Sequence, residues 1–129
     1  MQRQIEFNLE AGQIEVTFHG PVSFLDRIET MDIVVPRIAD GGFKRVLIDY
    51  THAWVDESSV ESFEILSARL SAETRLRGLR VALVNPPEFH AVPTEDVAAK
   101  SGFQVRRFST RATAISWLGR ARAQTVPPG

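Results

Sequence analysis

Lys44-Arg45-Val46-Leu47-Ile48-Asp49 decides the fold. Val46, Leu47 and Ile48 are consecutive, so a strand built from them presents apolar side chains to both of its faces. Such a strand belongs in the middle of a sheet covered on both sides. A second run of this kind, Val81-Ala82-Leu83-Val84, follows after a long amphipathic segment. Two buried strands joined by a helix imply parallel neighbours with a crossover between them.

Working outward, Ile5, Phe7 and Leu9 alternate with Glu6 and Asn8, and Ile14, Val16 and Phe18 alternate again. Glu10-Ala11-Gly12 between them is a turn signal, so the chain opens with a β-hairpin. Phe24, Ile28, Met31, Val35 and Ile38 then recur at helical spacing, with Asp26, Arg27, Glu29 and Asp32 off the stripe. Pro36 predicts a break near 33–35, and Gly41-Gly42 ends the segment. After the central strand, Val60, Phe63, Leu66 and Leu70 form a second helical stripe, with Arg75 and Arg77 towards its end and Gly78 beyond it. Asn85-Pro86-Pro87 stops the next strand. Pro93-Thr94-Glu95-Asp96 opens a short helix through Lys100, closed by Gly102. A last strand spans Phe103 to Phe108. Ser109 then caps a final helix carrying Ala112, Ile115 and Leu118.

The order is β-β-α-β-α-β-α-β-α. It predicts one α/β domain over residues 1–120, built on a single mixed, mostly parallel five-stranded sheet with an N-terminal β-hairpin. Residues 121–129 are expected to be a disordered tail.

The bulk properties narrow the function. At 129 residues with 43% hydrophobic and 24% charged side chains, the chain suits one core that folds without staples. The absence of cysteine excludes disulfides, thiolate zinc sites and cysteine catalysis, and fits a reducing compartment. The first residues lack the apolar run of a signal peptide, and no apolar stretch approaches a bilayer span. A cytoplasmic protein is expected, without stable membrane insertion. A net charge of −1 offers no general field for nucleic acid. Residues 1–68 carry 5 basic and 12 acidic side chains, whereas residues 69–129 carry 10 and 4. Folding either blends these halves or leaves a charged surface for an acidic partner or a second copy of the chain.

The order of elements resembles the STAS domain of bacterial anti-sigma-factor antagonists, and within it the SpoIIAA-like branch, over about residues 5–120. Val46-Leu47-Ile48-Asp49, Arg80-Val81-Ala82-Leu83-Val84 and the closing Val105-Arg106-Arg107-Phe108, with Ala114-Ile115-Ser116-Trp117-Leu118 downstream, carry the likeness. In signalling members an Asp-Ser-Ser/Thr-Gly motif opens the helix after the central strand, and its first Ser is phosphorylated. The matching stretch here is Asp56-Glu57-Ser58-Ser59-Val60. Ser58 stands at the Ser position, with Glu57 in place of Asp and Val60 in place of Gly. Ser58 also reads as a helix cap, because Ser58 and Glu61 have capping-box spacing. A cap and a phosphorylated serine are compatible at a helix N-terminus.

Asp49 is expected to be a strand-end residue. His19, His52 and His90 share no metal-ligand spacing, and no phosphate loop or nucleophile elbow is present. No cofactor, metal or catalytic residue is expected. Ligands of open parallel sheets bind beyond the carboxyl ends of strands. Those ends carry Tyr50, His52 and Trp54 after one central strand, and Asn85, Phe89 and His90 after the next. These six are the binding-surface candidates, and Trp117 is a candidate interface residue. The expected function is a non-catalytic regulatory or protein-binding module, with a protein partner or a homodimer. The alternative is a small-molecule or lipid-binding domain using the aromatic strand ends.

Overall fold

In the computed structural model, the described backbone covers residues 2–55 and 60–124, and side chains are described for these residues except 55, 60–63, 66, 74, 88–93 and 120–124. Strand β1 (Gln2–Asn8) pairs antiparallel with β2 (Gln13–Val22). Then follow α1 (Phe24–Gly41), β3 (Arg45–Val55), α2 (Val60–Ala72), a 3-10 turn at Thr74–Leu76, β4 (Arg80–Val84), α3 (Glu88–Ser101), β5 (Gln104–Phe108) and α4 (Arg111–Gln124). The five strands lie in chain order, and β2 to β5 are parallel. This is the mixed sheet expected from the sequence. Among the described residues, no helix is long and apolar enough to cross a membrane.

Strand order fixes where the helices go. When parallel strands add in one direction, crossovers of one hand place their helices on one face. One core accordingly joins Val34, Val35 and Ile38 of α1, Leu70 of α2, and Val97 and Ala98 of α3 to the sheet residues Val16, Phe18, Val46, Val81 and Leu83. Helix α4 follows the last strand and is not a crossover. It packs on the opposite face, where Ala114 and Leu118 meet Leu47, Ala82 and Val84.

Several local expectations are corrected. Helix α1 runs through Pro36 to Gly41, because Val34, Val35 and Ile38 bury on both sides of it and outweigh one lost backbone bond. Arg27 lies on the buried side of α1. Helix α3 starts at Glu88, one residue after Pro87, and contains Pro93. Helix α4 is capped by Thr110, whose Oγ1 accepts the Thr113 amide at 3.2 Å; Ser109 stands one residue too early. Its buried positions are Ala114 and Leu118, while Ala112 and Ile115 face solvent. The two charge halves blend within the fold: Arg69 pairs with Asp32, and Arg111 with Glu15 and Asp49.

Candidate functional site

β2 and β3 outrun the rest of the sheet. The β3–β4 pairing ends at Asp49 opposite Val84, whereas β2–β3 pairing continues to Val22 opposite Val55. A two-stranded ribbon therefore projects beyond the strand ends. Thr17 lies opposite Asp49 and His19 opposite His52, so β3 carries one extra residue in that interval, a β-bulge. Past it, the rings of His19 and His52 stack with centroids 5.7 Å apart and an interplanar angle of 7°. Trp54, opposite Pro21, is 59% exposed.

The bulge explains where the predicted side chains point. Side chains alternate between faces along a strand, so residues 50, 52 and 54 would ordinarily share one. One extra residue reverses the alternation. Tyr50 turns into the three-helix core, 2% exposed, with its ring 5.4 Å from Phe18. His52 stacks instead on His19, the neighbour of Phe18 that faces the other way. Tyr50 thus leaves the binding surface for which the sequence made it a candidate, and β3 continues as a strand through residues 50–54.

Asn85 closes the base of the ribbon. Its φ of 49° lies in the left-handed region that Asn tolerates better than most residues. Its amide donates to the Phe108 carbonyl at 2.8 Å, and its Nδ2 donates to Thr51 Oγ1 at 3.0 Å. The Thr51 hydroxyl in turn donates to Asp49, whose Oδ1 also accepts the Thr51 amide at 2.9 Å. From Asp49 the network runs to α4. Arg111 Nη1 donates to Asp49 Oδ2 at 3.1 Å and Thr17 Oγ1 at 3.2 Å, and Nη2 donates to Glu15 Oε1 at 2.7 Å.

Burial alone would raise the Asp49 carboxyl, but the Thr51 hydroxyl and amide and the Arg111 guanidinium together hold it below its ordinary value. For Arg111, burial would lower the pKa, and the bonds to Glu15 and Asp49 outweigh it, so the guanidinium stays charged. The arrangement positions polar groups and an aromatic face. Among the described residues, no three His, Cys, Asp or Glu side chains gather to hold a metal.

Phe89 and His90 lie in the first turn of α3, and their side chains fall outside the described residues. Ser58 also lies outside them. Trp117 is partly buried on the face carrying Ala114 and Leu118, with its ring 5.6 Å from Phe108 and 4.9 Å from the Arg80 guanidinium. It seats α4 on the sheet. Sequence reading missed Arg111, although a signal was present. A cation in the first turn of a helix opposes the macrodipole, and such a local conflict marks a residue held by tertiary partners.

A mixed five-stranded sheet in chain order, with three crossover helices on one face and a fourth on the other, is the SpoIIAA-like (STAS) fold. Several solved structures share it, among them the following two. The anti-sigma factor antagonist SpoIIAA in its unphosphorylated form is 16% identical, with a TM-score of 0.55 over 97% of this chain and 100% of that one. An uncharacterised protein of the DUF3478 family with a SpoIIAA-like fold, from Shewanella loihica, is 19% identical, with a TM-score of 0.56 over 91% of this chain and 92% of that one. No family model matches the chain, and no curated protein matches it in sequence.

Proposed function

We propose that this chain is a non-catalytic protein-docking module that binds its partner with the end of the β2–β3 ribbon. The observation that carries this reading is Trp54, a large aromatic 59% exposed on the paired ribbon beyond the β3 bulge. A single exposed apolar side chain is ordinary on a protein surface. Here it stands beside the His19–His52 stack, on a ribbon anchored through Thr51, Asp49 and Arg111 to the body of the domain. Rigid aromatics next to hydrogen-bonding groups are the common anchors of protein interfaces. The fold shared with an anti-sigma factor antagonist supports a regulatory setting. A second copy of this chain is one partner to test, and light scattering at micromolar concentration and low salt reads it directly.

The decisive comparison is capture by wild type and by Trp54→Ala. Proteins retained by wild type are identified by mass spectrometry and then bound in purified form to both. Trp54→Ala is expected to lose at least tenfold in affinity, the scale of an interface anchor, with its unfolding midpoint unchanged. Equal binding by the mutant refutes the reading.

A further inference from the structure

Between the sheet and helices α1–α3 lies a partly open cavity of about 90 Å³. Most of its wall is apolar, with Val16, Phe18, Val34, Tyr50 and Leu83 contributing. Against this apolar wall stand Arg27, Thr30 and Thr94. Arg27 and Thr30 are three residues apart on one helix and so share a face. Arg27 Nη2 donates to Thr94 Oγ1 at 3.2 Å. The Thr30 hydroxyl is already committed: it donates to the Asp26 carbonyl at 2.8 Å and accepts from Arg3 Nη1 at 3.1 Å. A second guanidinium therefore backs the same end of the cavity.

Arg27 is the unusual member. It is 9% exposed, and among the described residues no carboxylate pairs with it. A guanidinium has five donors, and among the described residues one is taken by the neutral Thr94 hydroxyl; no Arg27 nitrogen is both fully buried and without a partner, so the remaining donors border accessible space. Buried charges in proteins are ordinarily paired. An apolar space with one such cation at its edge is complementary to a molecule with an anionic head and an apolar body.

We propose that this cavity binds a small aliphatic carboxylate, its head on Arg27 and its hydrocarbon body against Val16, Val34 and Leu83. Size narrows the class. A water needs about 10–15 Å³ of such space, and an engineered cavity of about 150 Å³ admits benzene. A space of about 90 Å³ suits a chain of roughly four or five carbons. The site lies inside the domain, away from the ribbon end, and stands independently of the docking role.

Isovalerate is the probe, with isoamyl alcohol matching its hydrocarbon body and inorganic phosphate matching only its charge. In an NMR titration of the full chain, isovalerate is expected to shift the amides of Thr30, Val34 and Thr94 saturably at millimolar concentration. The alcohol should bind about tenfold more weakly, because it forfeits the charge-assisted bonds, and phosphate should leave these amides in place. Arg27→Met keeps the apolar stem and should reduce isovalerate to the affinity of the alcohol. No saturable shift, equal binding of acid and alcohol, or the same shifts with phosphate overturns the proposal. So does undiminished isovalerate binding by a folded Arg27→Met. Should that variant fail to fold, the acid–alcohol comparison on the wild-type chain decides.

Discussion

The two faces of the sheet are closed by different physics. Under α1, α2 and α3 lies a broad apolar core, with Ile14, Val16, Phe18, Phe43 and Leu83 almost wholly buried. Under α4 lies a small patch around Ala82, Val84, Ala114 and Leu118, extended by ion pairs from Arg111 to Glu15 and Asp49. The same strands serve both, because their side chains alternate. Burial on the first face is non-directional and scales with area. The second depends on a few directed contacts, so it is the face on which a single charge can matter and from which the domain should open first.

The largest effects belong on the first face. Phe18 is buried against Tyr50, and Phe18→Ala should cost about 3–5 kcal/mol in urea unfolding, near the whole stability of a small domain. Leu118→Ala removes a buried side chain from the α4 patch and should cost about 2–4 kcal/mol. Hydrogen exchange sharpens the contrast: amides of α4 should exchange faster than those of β3 and β4. A Leu118→Ala cost above that of Phe18→Ala would break it.

Acid should act on the second face. Asp49 is held below its ordinary value of 3.8 in the folded chain. A carboxyl lowered by folding contributes stability that is fully present above the unfolded value and is lost as pH falls through the folded one. Asp49→Asn should therefore destabilise the protein at neutral pH, and the difference from wild type should shrink as pH drops below 3.8. Arg111 is partly solvated, so its removal as Arg111→Met should cost only about 1 kcal/mol. A difference between wild type and Asp49→Asn that stays constant down to the acid transition would show that Asp49 contributes nothing through its charge.

The sequence made the first face legible and hid much of the second. Continuous apolar runs at Val46–Ile48 and Val81–Val84 mark central strands wherever they occur, and the alternation at Ile14, Val16 and Phe18 names its buried side directly. The rim was half legible. Trp54 and Asn85 stand at strand ends as expected, but Tyr50 is inside, because a bulge in β3 is a register event between two strands and leaves no periodic trace along one. Arg27 was assigned to solvent by its charge, and only the packing of α1 against α3 through Thr94 shows it buried. Pairings such as Arg111 with Glu15, far apart along the chain, cannot be read from local spacing at all.

Helix starts provide the finest test of the contrast. Helix α1 opens with a reciprocal cap, in which Ser23 Oγ accepts the Asp26 amide at 3.1 Å and Asp26 accepts the Ser23 amide at 2.8 Å. Nothing else among the described contacts ties down those two amides, so Ser23→Ala should cost about 1 kcal/mol. Helix α4 opens with the Thr110 hydroxyl accepting the Thr113 amide at 3.2 Å, while the Thr113 hydroxyl donates back to the Thr110 carbonyl at 3.0 Å. There the first turn is also pinned by Arg111 to two carboxylates on the sheet, which hold the backbone in place when the cap is lost. Thr110→Ala should therefore cost less, about 0.5 kcal/mol. In the background of Arg111→Met that support is gone, and the same cap deletion should cost about as much as it does at Ser23. Urea midpoints of the two single mutants and the double mutant give the coupling between Thr110 and Arg111. A coupling of zero would mean that the charges on the second face do not hold the start of α4, and the division of labour between the two faces would fail at that point.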